Sequence, residues 1–525
     1  MRLPKEAAPT SYIRTKNGNE RLQGETPQDG PGRSRHIVRG LGSLTIQGIL
    51  SAVLGFVLFF SLVRFLPQSV YGTYAAVQVT VGVAGTFAGF GLSSAVVRYL
   101  APDSSTHGGA GWGPAKAALI LIATLSAAVS LVLAALAPYL SEYFSKSAAS
   151  TWVFELGVLW LFTTALAAPM QAILQGMRRY GTLARVLLLT RVVAVAAAVV
   201  GVVVYHSLVA AVVAQGLYGA LIFFAVFPVA LGPLRGADAR PHYATVLRYS
   251  FPLGLAGLVG VVAGNADIVV VGGYLNTSAL AVYNATVTIS GVLSAFFLTP
   301  LVTAFFAEAS LSSERAAELK LGAGLALRFI MMTLLPASLF AAAMSTQLFD
   351  LFSGGGSYSQ GIPFLQLITL LYVFTALQSM GVNILQGTSR TRQVLAIGAV
   401  TAVGEAALSA ALIPSLGLAG AAYSRVAMFV VGCALSMYLI REYLPRPFDY
   451  RFVGKAVLAS AVPALAVYVP SVMISSRVVT LVPYTVFGLA LFAGCVKALK
   501  LLSAEDKSYL GHLLPGSLHW VLRLL

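Results

Sequence analysis

Apolar runs of about 20 residues, each long enough for a helix to cross a bilayer, recur along the whole chain and are separated by short segments that hold Lys and Arg. The first six run from Leu41 to Val63, Tyr74 to Val97, Ala117 to Pro138, Trp152 to Leu174, Val186 to Tyr205 and Leu208 to Leu231. The next six run from Tyr249 to Tyr274, Ala279 to Phe306, Leu321 to Ser345, Ile362 to Ile384, Val394 to Ile413 and Leu416 to Ile440. Two more, Val453 to Ile474 and Val478 to Val496, close the series. The pattern predicts an all-α membrane protein with about fourteen transmembrane helices.

Composition agrees. Hydrophobic residues make up 58% of the 525 and charged residues 10%, against roughly 25% charged in a soluble domain, and mean hydropathy is +0.84. The net charge of +16 would point to nucleic acid in a soluble chain, but these Lys and Arg residues lie between apolar runs, where they act as topology signals. No nucleic-acid partner is expected. Nearly all of them fall on the side of the membrane that holds the N-terminus; the opposite loops carry only Arg64, Lys146 and Arg477. The N-terminus is therefore expected in the cytoplasm, and an even number of spans returns the C-terminus to the same side of the cell membrane.

Residues 1–36 are polar, Gly/Pro-rich and charged, with no apolar stretch leading to a cleavage site. They read as a disordered cytosolic tail, the first membrane helix being an uncleaved insertion signal. Residues 501–525 mix Leu, Tyr and Trp with charges and read as an amphipathic cytosolic tail along the interface. Cys433 and Cys495 lie inside apolar runs without metal-ligand spacing and read as packing residues.

The chain also repeats itself. Arg39 to Ala76 aligns without a gap on Arg248 to Ala285, which places Tyr74 on Tyr283. Thr164-Ala165-Leu166 and Ile173-Leu174-Gln175-Gly176 recur as Thr375-Ala376-Leu377 and Ile384-Leu385-Gln386-Gly387. Spans one to six thus correspond to spans seven to twelve. An even number of crossings per repeat gives two like-oriented six-helix lobes, residues 37–247 and 248–445, about a pseudo-twofold along the membrane normal. Helices 13 and 14 occupy residues 446–500. Such lobes enclose a central cavity, the place for an alternating-access substrate site.

Three stretches carry a resemblance: Val-Arg-Phe-Leu-Pro-Gln-Ser-Val-Tyr-Gly-Thr-Tyr from Val63, Gly-Phe-Gly-Leu-Ser-Ser-Ala-Val-Val-Arg-Tyr-Leu from Gly89, and Gly-Asn-Ala-Asp-Ile-Val-Val-Val-Gly-Gly-Tyr-Leu from Gly264. From roughly Arg35 to Ile440 the chain resembles the Wzx-type polysaccharide flippases of the multidrug/oligosaccharidyl-lipid/polysaccharide (MOP) exporter superfamily. The resemblance implies transport of a lipid-linked oligosaccharide, on an isoprenoid phosphate or pyrophosphate, from the cytoplasmic to the outer leaflet. It implies no bond chemistry and no cofactor. Other glycan-assembly membrane proteins are possible partners.

An anionic head group on this route calls for basic residues facing the cavity. Arg39 and Arg248 hold equivalent repeat positions at the cytoplasmic ends of spans one and seven, and Arg98 closes span two on that side. They read either as phosphate receivers or as anchors snorkelling to lipid head groups. Arg191 is more informative. It lies inside span five, where a lipid-facing guanidinium costs at least ~2 kcal/mol near the centre, so it is expected to face the cavity or a partner. Arg328 in span nine invites the same reading, with snorkelling as the alternative.

Asp267 lies about 27 Å along span seven at about 1.5 Å per residue, in the outer half of the membrane, and its repeat mate is Leu58. With Asn265 it is a candidate proton or sodium site for coupling, or else a carboxylate paired across a helix interface. Glu405 and Arg425 flank the Ser415 turn symmetrically, so an antiparallel hairpin sets them at one depth. They read as a structural ion pair, with a coupling role for Glu405 as the alternative.

Short external loops leave no room for a large catalytic segment. The chain contains no Walker loop or His-Glu-x-x-His pair, and His36, His107, His206, His242, His512 and His519 are scattered, so neither an enzyme nor a metal centre is expected. The rivals are a drug or organic-cation antiporter of the same superfamily, which would want acidic and aromatic cavity residues, and an uncoupled lipid scramblase. Indifference of activity to substitution of both Asp267 and Glu405 would mark the scramblase.

Overall fold

With no water in the hydrocarbon core, each apolar run must satisfy its backbone internally, which a helix does. The computed structural model describes residues 31–101, 111–293, 316–353, 356, 358–388, 390–444, 449–473 and 478–501, and these form helices and turns. The first half comprises Pro31–Phe65 (α1), Gln68–Gly89 (α2), Leu92–Leu100 (α3), Trp112–Ser145 (α4), Thr151–Gly176 (α5), Tyr180–Tyr205 (α6) and Leu208–Gly236 (α7). The second half comprises Tyr243–Tyr274 (α8), Thr277–Leu293 (α9), Ala316–Ala343 (α10), Ser345–Ser353 (α11), Ile362–Leu370 (α12), Val373–Gly387 (α13), Thr391–Leu416 (α14) and Leu418–Leu439 (α15). Tyr450–Met473 (α16) and Leu481–Ala498 (α17) follow.

Among the described residues, 11 helices are long and apolar enough to cross a membrane, and up to 13 spans result if each bent pair counts as one. The shorter apolar helix α9 is a further candidate, which brings the total to the number the sequence predicts. The chain is a multi-pass α-helical membrane protein. Helix α1 begins at Pro31, so the end of the polar N-terminal tail is helical. The C-terminal tail, apart from Leu501, lies outside the described residues.

Two spans read as continuous are broken. Helices α2 and α3 meet at 49°, and α12 and α13 at 41°. The first break has a local cause: Phe90 and Gly91 both adopt left-handed backbone, with φ of 34° and 71°. A Cβ on Gly91 would lie 2.8 Å from both the Gly254 nitrogen and the Ser250 carbonyl of α8. Glycine thus supplies both the positive φ and the close approach.

Packing differs between the two ends of the bundle. At the distal end, away from the N-terminus, one core joins residues of both halves, with Leu62, Tyr71 and Phe154 in the same cluster as Val271, Tyr283 and Ile413. Towards the N-terminal end two separate cores replace it. One holds Leu92, Ile122, Ile173 and Val246, and the other holds Ile330, Leu334, Ile384 and Ile397 together with Phe452 of α16. The halves therefore share one core distally, whereas proximally they hold separate cores and meet where α8 packs on α2 and α3.

The distal seal is polar as well as apolar. The Tyr71 hydroxyl donates to Asn284 Oδ1 at 2.6 Å, and Lys146 Nζ donates to the Gly273 carbonyl. Phe59 and Phe352 meet at a tilt with ring centres 5.3 Å apart. A Cβ on Gly72 would fall 1.8 Å from the Thr277 carbonyl oxygen, so α2 and α9 touch backbone to side-chain-free backbone. Gly72→Val is expected to cost about 1 to 3 kcal/mol by overpacking. Gly82→Val, whose added carbon meets nothing within 4 Å, serves as the control. Unfolding midpoints of the two purified variants in one detergent check this, and equal midpoints would contradict the tight α2–α9 contact.

Candidate functional site

The central site is a cavity of about 320 Å³ between α1, α2, α6, α7 and α9. Helix α1 supplies an apolar wall from Ala52 to Leu62, and α2 supplies Tyr71, Tyr74 and Gln78. Arg191, Gln215, Thr288 and Gly291 complete the lining. Among the described residues, Arg191 is the one charged residue of that lining.

Its guanidinium is held in place from two sides. Arg191 Nη1 donates to Gln215 Oε1 at 3.0 Å, and Gln215 Nε2 donates in turn to the Tyr74 hydroxyl at 3.0 Å. The Tyr218 ring lies beneath the guanidinium at 5.2 Å, a cation–π contact. Tyr74 is itself fixed by stacking on Trp160 at 6.1 Å. A guanidinium restrained this way keeps further N–H groups for an anion.

A second polar cluster lies within the second half. Arg425 of α15 grips Asp267 of α8 with two donors of one edge, Nε to Oδ2 at 2.6 Å and Nη2 to Oδ1 at 2.8 Å. The Tyr283 hydroxyl also donates to Asp267, and the Ile268 amide donates to Oδ1 at 2.8 Å. Glu405 of α14 stands 3.7 Å from Arg425 Nε. Asp267 is 0% exposed and Glu405 4%. Forks of this kind are the strong form of an ion pair.

The structure thus merges two sequence readings into one site. Glu405 and Arg425 lie at one depth across the Ser415 hairpin and are neighbours, but the paired hydrogen bonds of Arg425 go to Asp267. Asn265 does not join them, since its side chain donates to Val261 of its own helix at 3.0 Å. Arg191 faces the cavity. Arg98 is exposed and lies 4.4 Å over the Tyr249 ring of α8, tying the two halves near the N-terminal end. Arg248 is exposed at the start of α8. Arg39 belongs to α1, with its side chain outside the described residues. Arg328 pairs with Asp449 at 3.4 Å and lies over Phe452, so it serves the packing of α16.

Sequence reasoning assigned no role to Gln215, Tyr218, Tyr74 or Tyr283. The signal for two of them was present, because Tyr74 and Tyr283 are repeat mates, and each places its hydroxyl against a polar group of the last helix of its half. Gln215, an amide within an apolar span, was the other available sign.

Residues 37–307 match the polysaccharide biosynthesis protein family, more than half of the chain. No curated protein matches the sequence. Among solved structures, the lipid II flippase MurJ in an inward closed conformation aligns with a TM-score of 0.73 at 13% identity, covering 88% of this chain and 98% of that one. An inward-facing multidrug resistance MATE family transporter of the MOP superfamily aligns with a TM-score of 0.60 at 16% identity, covering 74% and 94%. MATE in a straight conformation gives 0.55 at 18% identity, covering 78% and 95%. The chain, with the fold of these transporters, belongs to the polysaccharide biosynthesis protein family.

Proposed function

We propose that the protein moves the head group of a lipid-linked oligosaccharide, carried on an isoprenoid phosphate or pyrophosphate, from the cytoplasmic to the outer leaflet of the cell membrane. Two six-helix lobes, residues 37–247 and 248–445, alternate access to the cavity between them, and no bond is made or broken. The observation that carries this reading is the restrained cation Arg191, with no other charge among the described residues that line the cavity, a match for a phosphate and a mismatch for a cationic drug. Membership of the polysaccharide biosynthesis family supports the glycan part of the substrate.

The distribution of Lys and Arg puts both termini in the cytoplasm. The distal seal then faces outward, and the divided proximal cores face the leaflet where the substrate is loaded. Among the described residues, helices α1 and α9 both line the cavity and pack less closely than α2 and α8, although the repeat makes these two pairs equivalent. The gap between α1 and α9 gives the isoprenoid tail a path to stay in lipid while the polar head enters. Arg39, Arg98 and Arg248 serve as cytoplasmic anchors near the entrance. The buried acidic cluster of the second lobe couples movement to an ion gradient, and other membrane proteins of glycan assembly supply and consume the substrate.

The test is the sidedness of lipid-linked oligosaccharides in sealed membranes from cells lacking the gene, probed with a membrane-impermeant sugar label. Accumulation of cytoplasm-facing glycan, relieved by the intact gene, is expected. Unchanged lipid-linked glycans would refute the proposal in favour of small-molecule export.

A further inference from the structure

The second-lobe cluster contains two buried carboxylates and one guanidinium, and the guanidinium is unequally shared. Asp267 accepts from Nε and Nη2 of Arg425, from the Tyr283 hydroxyl and from the Ile268 amide. Arg425 gives a further N–H to the Gly264 carbonyl at 3.2 Å. Glu405 Oε1 is buried with no hydrogen-bond partner, although it lies 3.7 Å from Arg425 Nε. Asp267 is thus supplied with donors while Glu405 Oε1 has none to balance a charge, so of the two carboxyls Glu405 is the one placed to hold a proton.

The elements packed against Glu405 hold few other charges. Helix α8 presents Asp267 and α15 presents Arg425, with Tyr283 of α9 behind Asp267. Helix α13 carries no titratable side chain. The local balance is therefore one negative charge if Glu405 is ionised and zero if it is protonated. Buried in this way, the neutral state is the one the surroundings favour.

Sodium would need the same oxygens. A hard cation binds through several carboxylate, carbonyl or hydroxyl oxygens, and here the Asp267 oxygens, the Tyr283 hydroxyl and the Gly264 carbonyl already face the Arg425 guanidinium. We propose that Arg425 is a built-in cation that fills this site, and that Glu405 is the group which exchanges the coupling ion, a proton. The step is the reversible loss of a proton from the Glu405 carboxyl to water. The resulting carboxylate then competes with Asp267 for Arg425, drawing α14 towards α15. This inference rests on the transport reading given above, whose acidic cluster it narrows to one ion and one carrier.

The test uses the full-length purified protein in lipid nanodiscs and infrared difference spectroscopy of the carboxylic-acid carbonyl stretch over a pH series. A protonated-carboxyl band at neutral pH that disappears on alkalinisation, and that is missing from Glu405→Gln, is expected. Replacing potassium by sodium at constant ionic strength should leave the band and the thermal midpoint of the wild type unchanged. A band that persists in Glu405→Gln, the absence of any such band, or a sodium-dependent rise in the wild-type midpoint would overturn the proposal. The sodium arm needs no variant, so a misfolded Glu405→Gln does not spare the proposal. Neither arm needs a substrate, so failure of the sidedness assay with these results intact would count against the glycan and not against the proton.

Discussion

Arg425→Leu is expected to lower the stability of the folded protein by about 3 to 5 kcal/mol, because removing one partner of a buried ion pair strands the other. The carboxylate left behind is Asp267, at 0% exposure, with Glu405 at 4% beside it, and no second cation is in contact with either among the described residues. Asp267→Leu should cost less, about 1 to 3 kcal/mol, since Glu405 is 3.7 Å from Arg425 Nε and can take over the pairing. Glu405→Gln should be close to neutral, because its Oε1 gives up no hydrogen bond. Unfolding midpoints of the three variants in the same detergent give the order directly. Equal losses for Arg425→Leu and Asp267→Leu would mean that Glu405 does not capture the freed guanidinium and that the cluster is a simple pair.

That order follows from geometry the sequence holds only in part. A helix rises by about 1.5 Å per residue, so residue number fixes depth, and the equal distance of Glu405 and Arg425 from the Ser415 turn was enough to make them neighbours. Depth does not give azimuth. Whether Arg425 turns to α14 or to α8 depends on which helices flank α15, and the apolar runs alike in composition do not encode that order legibly. Asp267 was readable as an unusual intramembrane charge, and its partner was readable as another, but their union required the packing of α8 against α14 and α15.

The helix count was legible for the opposite reason. The requirement to satisfy the backbone in lipid acts on each run separately, so length and hydropathy suffice without knowledge of neighbours. Breaks within a run were less so. Phe90 and Gly91 sit in a stretch apolar enough to be read through, and the bend appears only because α3 must turn to meet Ser250 and Gly254 of α8. The repeat occupies an intermediate position: it aligned Tyr74 with Tyr283, yet the partners of these tyrosines differ, an amide and arginine in one half and a carboxylate and arginine in the other. Equivalent scaffolds thus carry opposite specialisations, a cation exposed to a cavity and a cation consumed by an acidic site.

Arg191→Ala is expected to reduce head-group translocation by about 10- to 100-fold, the loss corresponding to a charge-assisted contact of about 1.5 to 3 kcal/mol. The effect should fall on transport and not on folding, because Arg191 is half-buried and the group it leaves behind, Gln215 Oε1, opens onto the cavity where water can replace it. Arg191→Lys preserves the charge but not the flat fork or the stacking over Tyr218, so an intermediate rate is expected. Gln215→Leu removes the restraint while sparing the cation, and should lower transport by a smaller factor than Arg191→Ala. The measurement is the rate at which lipid-linked glycan becomes accessible to an impermeant label on the outer face, normalised to folded protein in the membrane. An Arg191→Ala protein that translocates at the wild-type rate would remove this cavity as the route of an anionic head group, since its lining among the described residues offers no other charge to receive one.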